Sequence, residues 1–292
     1  MGTSKKSSRQ RWFFIFILPS LFLFTISIII PVIQGFILTL TNWDGIQKSY
    51  DFVGFKNYIT LFQDELFYNA LINTLKFTLG VAIFQNVFGL LLAVLLNKSS
   101  RVNNFFRTIF FMPAVLSVVL AGFIWTYVYS DGIPALYDML NLKFTSSPLG
   151  NPDMAMIALI IIQLWLCTGT TMVIYIAGLQ SIPEDIYESA KVDGANHLQS
   201  FFKITLPMLG PAITINFVLV VKQAMMVFDL VFVTTSGGPG HCTDVLSTYL
   251  WETTFTNNQA GYGSSMSFIF LLILIIMAML QLKFFRKREV EM

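Results

Sequence analysis

Charge is what this chain has least of. Asp, Glu, Lys and Arg together make up 12% of its 292 residues, where a soluble globule carries about a quarter. A water-facing surface of this size cannot be covered with so few charges, which excludes a large soluble domain. Cysteine and histidine are nearly absent, at two each. Cys167 falls in an apolar run and Cys242 in a polar stretch, so no intrachain disulfide is expected. With His197 and His241 they form no metal-ligand spacing, and a structural or incidental role is expected for all four. Glycine and proline are not in excess and low-complexity tracts are missing, which excludes a disordered chain.

What is present is apolar. Hydrophobic residues reach 55% and the mean hydropathy is +0.69. About twenty apolar residues cross the hydrocarbon of a bilayer, and runs of that length occur at about 12–34, 69–96, 105–129, 155–180, 208–235 and 265–285. The first, RWFFIFILPSLFLFTISIIIPVIQ, has the basic flank of a signal peptide but no small-residue cleavage site, so it reads as a retained span. The expected fold is an all-α membrane protein of six transmembrane helices over 12–285, flanked by tails at 1–11 and 286–292.

Lys and Arg mark the cytoplasmic side of a membrane protein. Thirteen of the 18 cations sit in the N-terminal tail (Lys5, Lys6, Arg9, Arg11), the 97–107 loop (Lys98, Arg101, Arg107), the 181–207 segment (Lys191, Lys203) and the C-terminus (Lys283, Arg286, Lys287, Arg288). The opposite side holds Lys48, Lys56 and Lys143 against nine carboxylates. Both termini and the 181–207 segment are therefore expected in the cytoplasm, and the outer face is acidic enough to steer a basic partner.

The 181–207 segment is longer and more patterned than a turn between spans requires. Ser181 and Glu184 have capping-box spacing with Pro183 in the first turn, and Glu184 and Asp185 suit the positive end of a helix dipole. Ile186 and Ala190 share a face beside Tyr187. Gly194 is expected to turn the chain, because Asn196 and Gln199 offer a second capping box directly after it. Leu198, Phe201 and Phe202 then make an apolar face. Four carboxylates (Glu184, Asp185, Glu188, Asp193) stand against two lysines, which suits an anionic lipid surface poorly. A docking surface for a protein fits better.

This segment resembles the signature loop of permease subunits in binding-protein-dependent ABC importers: Glu-Ala-Ala, three residues, Gly, nine residues, Ile-x-Leu-Pro. Here it reads Glu188-Ser189-Ala190, Asp193-Gly194 and Ile204-Thr205-Leu206-Pro207, with Ser189 for alanine as the departure. Further stretches, ILPSLFLF, LTNWDG, FVGFKNY, NTLKFT, FRTIFFMPAVLS, FDLVFVTTSGGPG and DVLSTYLWETTF, are similar to sugar-import permeases related to the maltose and glycerol-3-phosphate systems, in particular the first permease of the pair. The resemblance implies a type I importer fold with a cytoplasmic coupling helix–turn–helix, in a bacterial or archaeal plasma membrane. It implies four kinds of partner: a second homologous permease, two ATPase subunits, an extracytoplasmic solute-binding protein, and membrane lipid. The signature loop would lie in a groove of the ATPase. No nucleic-acid partner is expected. The sequence has no phosphate-binding loop of the form Gly-x-x-x-x-Gly-Lys-Ser/Thr, so no cofactor belongs to this chain, and ATP and magnesium would be held by the ATPase.

A sugar exchanges its water hydrogen bonds for amides, hydroxyls and aromatic faces along its path. In the fifth span Asn216 and Gln223 nearly superpose at 100° per residue, with Lys222 and Asp229 on another stripe. Asn216 and Gln223 are candidates for solute contact or for bonding between helices. Lys222 and Asp229 are expected to pair with groups on another helix or in the sister subunit, since ionisable groups in spans seldom face lipid. In the fourth span Gln163, Trp165, Thr168, Thr171 and Tyr175 suit a sugar, with Gly169 allowing close packing; back-bonding of the threonines to their own helix is the alternative. Gln85 and Asn86 are lesser candidates, and Lys76 is expected to snorkel. Tyr249 and Trp251 suit a membrane interface or a docked partner. Asp229 is the only acid in a span and no histidine lies in one, so catalysis is not expected. The same machinery importing glycerol phosphate or a sugar conjugate is the alternative function, followed by an ion-coupled secondary transporter.

Overall fold

The computed structural model describes residue 13, residues 16–141 and residues 147–286. The tail at 1–11, Lys143, Lys287 and Arg288 lie outside them, as does the side chain of Arg286. Among the described residues the chain is helical, with one isolated antiparallel bridge, Thr41 to Phe52, and no strand. In chain order the helices are α1 (Phe16–Leu38), α2 (Lys56–Leu61), α3 (Glu65–Leu96), α4 (Arg101–Phe111), α5 (Val118–Met139), α6 (Pro152–Gln180), α7 (Glu184–Val192), α8 (His197–Met208), α9 (Gly210–Met225), α10 (Asp229–Thr234), α11 (Leu246–Trp251) and α12 (Ala260–Arg286).

Four helices are long and apolar enough to cross a membrane singly: α1, α3, α6 and α12. Two further spans are bent. α4 with its closing turn to Val115 meets α5 at 99°, and α8 meets α9 at 65°, giving six spans if each bent pair counts as one. The runs expected as straight spans at 105–129 and 208–235 are thus not single helices. In the first, Pro113 lacks an N–H donor and Leu116 and Ser117 turn extended, with ψ of 147° and 136°. In the second the chain bends at Leu209, immediately before Gly210-Pro211, and breaks again after Met225.

The chain divides into two compact units, residues 1–64 with 250–271, and residues 65–249 with 272–292. In the first, α1 has no buried residue through Leu38, and Phe36 meets Phe268 at 5.0 Å between ring centroids. The 42–51 loop closes on itself. Asp51 N–H donates to Asn42 Oδ1 (2.7 Å), Trp43 Nε1 donates to Gln47 O (2.8 Å), and Asp44 Oδ1 accepts from the N–H groups of Ile46 and Gln47, both 2.9 Å. Those two N–H groups hold the Asp44 carboxyl below its ordinary value. Asn57 Nδ2 donates to the carbonyls of Thr39 and Thr41 at 2.8 Å each, and the Tyr262 hydroxyl donates to Asp64 Oδ2 at 2.6 Å.

The second unit is built on α3 against α6. The buried stripe of α3 carries Phe67, Ala70, Asn73, Thr74, Phe77, Thr78, Val81, Ala82, Gln85, Gly89, Ala93 and Leu96, in steps of one, three or four residues. Its exposed side carries Ile72, Leu75, Leu79, Ile83, Phe84, Val87, Leu91 and Leu95. Most of the inner positions are small or polar while the outer ones are large and apolar, the arrangement a bilayer selects. Lipid gives no hydrophobic drive between helices, so close packing and hydrogen bonds hold them. A Cβ added at Gly89 would come within 2.5 Å of Thr171 Cγ2, and one at Gly169 within 2.8 Å of the Phe110 and Phe111 backbone. Arg107, from α4, donates through Nε and Nη2 to Leu96 O (3.0 and 2.6 Å) and through Nη2 to Asn97 O (2.8 Å). It thereby caps the carbonyl end of α3, where helices have orphan acceptors.

Candidate functional site: a coupling hairpin and a polar cleft

The hairpin of α7 and α8 is specified by local chemistry. In α7, Glu184 and Asp185 stand in the first turn and Lys191 in the last, each complementing the helix dipole. After Asp193 the chain reverses at Gly194, whose φ is +80°. Ala195 N–H donates to Ala190 O at 2.9 Å and Gly194 N–H to Lys191 O at 3.1 Å. This is the pair of bonds of a Schellman turn, and its left-handed residue favours glycine. Asn196 and Gln199 then form the expected capping box, with Gln199 N–H donating to Asn196 Oδ1 (2.8 Å) and Asn196 N–H to Gln199 Oε1 (3.0 Å). The first capping box does not form. Ser181 closes α6 and its hydroxyl donates to Gly178 O at 2.7 Å, leaving Pro183 at the start of α7 with no side-chain cap. Twenty-nine residues of α6 run on to Gln180, so Ser181 serves the helix it ends.

Two faces result. Ile182, Leu209 and Ala212 are buried with Ala93, Leu96, Met172, Tyr175, Ile176 and Leu179, and Tyr187 packs against that cluster. Tyr187 and Thr205 share a hydrogen bond through their hydroxyls, 3.0 Å. Ala190 faces inward, with Ile204 and Leu206 half-buried. Outward stand Glu188, Ser189, Asp193, Gly194 and Pro207, with Val192 at 88%, Leu198 at 71% and Phe202 at 61% exposure. Ser189, the departure from the signature, donates back to Asp185 O at 2.8 Å and leaves the turn unaltered. Behind the hairpin a cleft of about 560 Å³ is lined by Asn97, Tyr187, Lys191, Asn196, His197 and Thr205, among others.

The expected path residues do not form one surface. Thr171, Asn216 and Gln223 line a cleft of about 410 Å³ with Gln85, Thr170 and Lys222. Trp165 and Thr168 line a separate, mostly apolar cleft of about 430 Å³ with Phe88, Phe110 and Pro113. There Trp165 meets Trp125 edge to face at 5.8 Å. Thr168 donates to Leu164 O at 2.6 Å and Thr170 to Cys167 O at 2.7 Å, the back-bonded arrangement. Asn216 is buried and donates to Thr171 O at 3.3 Å, while the Tyr175 hydroxyl donates to Asn86 Oδ1 at 2.7 Å. Cys167 Sγ accepts from both Gln163 (3.3 Å) and Gln223 (3.4 Å). Gln85 Nε2 donates to Thr171 Oγ1 (2.9 Å) and Cys167 O (3.2 Å).

The break after Met225 alters the expected register of Lys222 and Asp229. Asp229 does not continue the α9 stripe of Lys222; it opens α10, where a carboxylate suits the helix dipole. The Ser247 hydroxyl donates to the carbonyl of Val227 in the break. Lys222 and Asp229 are both exposed, and among the described residues neither makes an ion pair within the chain. Tyr249 is buried at 8% exposure, so of Tyr249 and Trp251 only Trp251 is exposed. The Gly-Gly-Pro-Gly loop is held from within and from α3. The Thr243 hydroxyl donates to Gly238 O (2.7 Å), His241 Nδ1 meets Asp244 Oδ2 (2.5 Å), and Asn69 Nδ2 donates to His241 O (2.7 Å). Burial raises the Cys242 thiol above its ordinary value.

Sequence comparison places this multi-pass helical chain among transport subunits. Residues 85–290 match the family described as the binding-protein-dependent transport system inner membrane component, and the chain belongs to that family. It is 36% identical to the multiple sugar-binding transport system permease protein MsmF of Streptococcus mutans, over 99% of this chain and all of that one. Identity to the probable starch degradation products transport system permease protein AmyD of Thermoanaerobacterium thermosulfurigenes is 33%, over 96% of each. Its fold matches a chain of the bacterial alginate ABC transporter crystallised with an alginate pentasaccharide-bound periplasmic protein, at a TM-score of 0.85, 22% identity and 98% coverage of both chains. The chain is an ABC importer permease, a transport subunit and not an enzyme.

Proposed function

We propose that this chain is one half of the membrane channel of an ATP-driven importer that carries a sugar or oligosaccharide into the cytoplasm. The observation that carries the reading is the hairpin: Glu188, Asp193 and Gly194 stand outward on a turn rooted in the helix core. The sugar-transport names of the relatives support the solute class. In this reading the hairpin and both termini are cytoplasmic, and Glu188, Ser189, Ala190, Asp193, Gly194, Ile204, Leu206 and Pro207 make the joint to an ATPase subunit. Two such subunits hold ATP and magnesium, a second homologous permease completes the channel, and an extracytoplasmic binding protein delivers the solute to the acidic outer loops. Movement of the ATPase pair turns the hairpin as a lever, because its inner face is packed against α3, α6 and α9. Asn216, Gln223, Thr171 and Gln85 line the solute path, and Asp229 pairs across to the sister permease. Uptake of labelled saccharides by cells lacking this gene tests the function. Loss of ATP-dependent uptake of a saccharide is expected, and undiminished uptake across a mono-, di- and oligosaccharide panel would refute it.

A further inference from the structure

The cleft between α3, α6 and α9 holds two groups that helix packing leaves unused. The Gln85 side chain is 1% exposed. Its Nε2 donates to Cys167 O and Thr171 Oγ1, while its Oε1 is buried without a hydrogen-bond partner. A buried acceptor is normally satisfied, so an orphan one calls for an incoming donor. The second group is Lys222, which lines the same cleft beside Gln223, Asn216, Thr170 and Thr171. No carboxylate lines this cleft. A lysine within a spanning segment is costly, and such residues mark solute or ion pathways.

We infer that this cleft selects a polyhydroxylated solute bearing an anionic group. The Lys222 ammonium takes the anion, the neighbouring amide of Gln223 donates beside it, and Gln85 Oε1 accepts a solute hydroxyl. The same cation repels amino sugars, since an unpaired like charge disfavours a wrong ligand. At about 410 Å³ the cleft has the size of a small-ligand site. The inference rests on the proposed path and adds the charge class of what travels it. The rival role for Lys222, pairing with a carboxylate of the sister permease, makes it an assembly residue instead.

The test is equilibrium binding to the purified complete transporter, using trigalacturonate and maltotriose as probes, with uptake into proteoliposomes alongside. The transporter is expected to bind the acidic probe roughly tenfold more tightly, in line with one close charge pair. Lys222→Met should erase that preference and Lys222→Arg should keep it, both with normal recovery of the sister subunit. Equal or reversed preference in the unaltered transporter overturns the inference, and so does a preference that survives Lys222→Met. Loss of the sister subunit from the Lys222→Met complex also overturns it, in favour of assembly. A transporter that imports another saccharide but binds neither probe also overturns the inference, whereas loss of all saccharide import refutes the path itself.

Discussion

Gly194 allows the coupling reading to be tested in parts. Its φ of +80° lies in the left-handed region, and a Cβ built there would meet nothing within 4 Å. Substitution therefore costs backbone strain and nothing in packing within this chain. For alanine that strain is about 1–2 kcal/mol, which lowers the population of the closed turn by roughly 5–30-fold relative to alternatives. Asparagine tolerates the conformation and should cost only a fraction of this. Tryptophan pays a similar backbone cost and adds an indole to an exposed face bearing Glu188, Asp193 and Val192. The assay is saccharide-stimulated ATP hydrolysis and uptake by the complete transporter in proteoliposomes, with subunit stoichiometry measured on the same samples. The expected order is wild type, Gly194→Asn, Gly194→Ala, then Gly194→Trp, with weakened assembly and no uptake for the last. Because the chain itself leaves the position open, the gap between Ala and Trp reports what covers it in the complex. Normal uptake by Gly194→Trp would refute the coupling assignment, and equal activity for Ala and Asn would refute the strain argument.

Arg107→Ala removes three hydrogen bonds to the carbonyl end of α3. Charged hydrogen bonds contribute about 1.5–3 kcal/mol each, so a lower unfolding temperature in detergent is expected, with Arg107→Lys recovering part of it because the forked geometry is lost. Gly169→Leu would drive a side chain into the Phe110 backbone and should separate α4 from α6, read as loss of monodisperse protein on size-exclusion chromatography; retained stability would contradict the close approach. Asp44 has its carboxyl held below the ordinary value by the N–H groups of Gln47 and Ile46. A lowered value in the folded loop means its contribution is present above the ordinary carboxylate range and is lost only as pH falls through the lowered value. Hydrogen exchange corrected for intrinsic rates should therefore show the Ile46 and Gln47 amides protected at neutral pH and released only below the ordinary carboxylate range. Release at pH 5 to 6 would contradict the loop geometry.

Much of the α7–α8 hairpin was legible because its determinants are local. Gly194 as the reversal and Asn196 with Gln199 as a capping box depend on residues within a few positions of one another, and no distant contact competes. Ser181 and Glu184 had the same spacing, yet no box formed, because α6 extends to Gln180 and claims the serine hydroxyl for its own end. Spacing proposes a cap; the length of the preceding helix decides it.

Membrane residence was legible in the sequence alone, because hydropathy over twenty residues is a sum that no packing can change. The interior of the spans followed only from the tertiary structure. Neither glycine nor proline marks the break between Met225 and Asp229, where a hydroxyl from Ser247, twenty residues on, donates to the Val227 carbonyl. Extending 100° per residue through that break put Asp229 in line with Lys222, and the geometry separates them. The path candidates on α6 likewise share a helix, but Thr171 lines one cleft, Trp165 and Thr168 another, and Gln163 and Tyr175 neither of these two. Which neighbour lies beside each residue depends on α3, α4 and α9 rather than on α6. Arg107 lies in a stretch that carried the resemblance, FRTIFFMPAVLS, but its bonds to Leu96 and Asn97 exist only because α4 folds back across the end of α3. Helix chemistry is written within a turn or two of the chain, whereas a cleft is made by residues the chain has carried far apart.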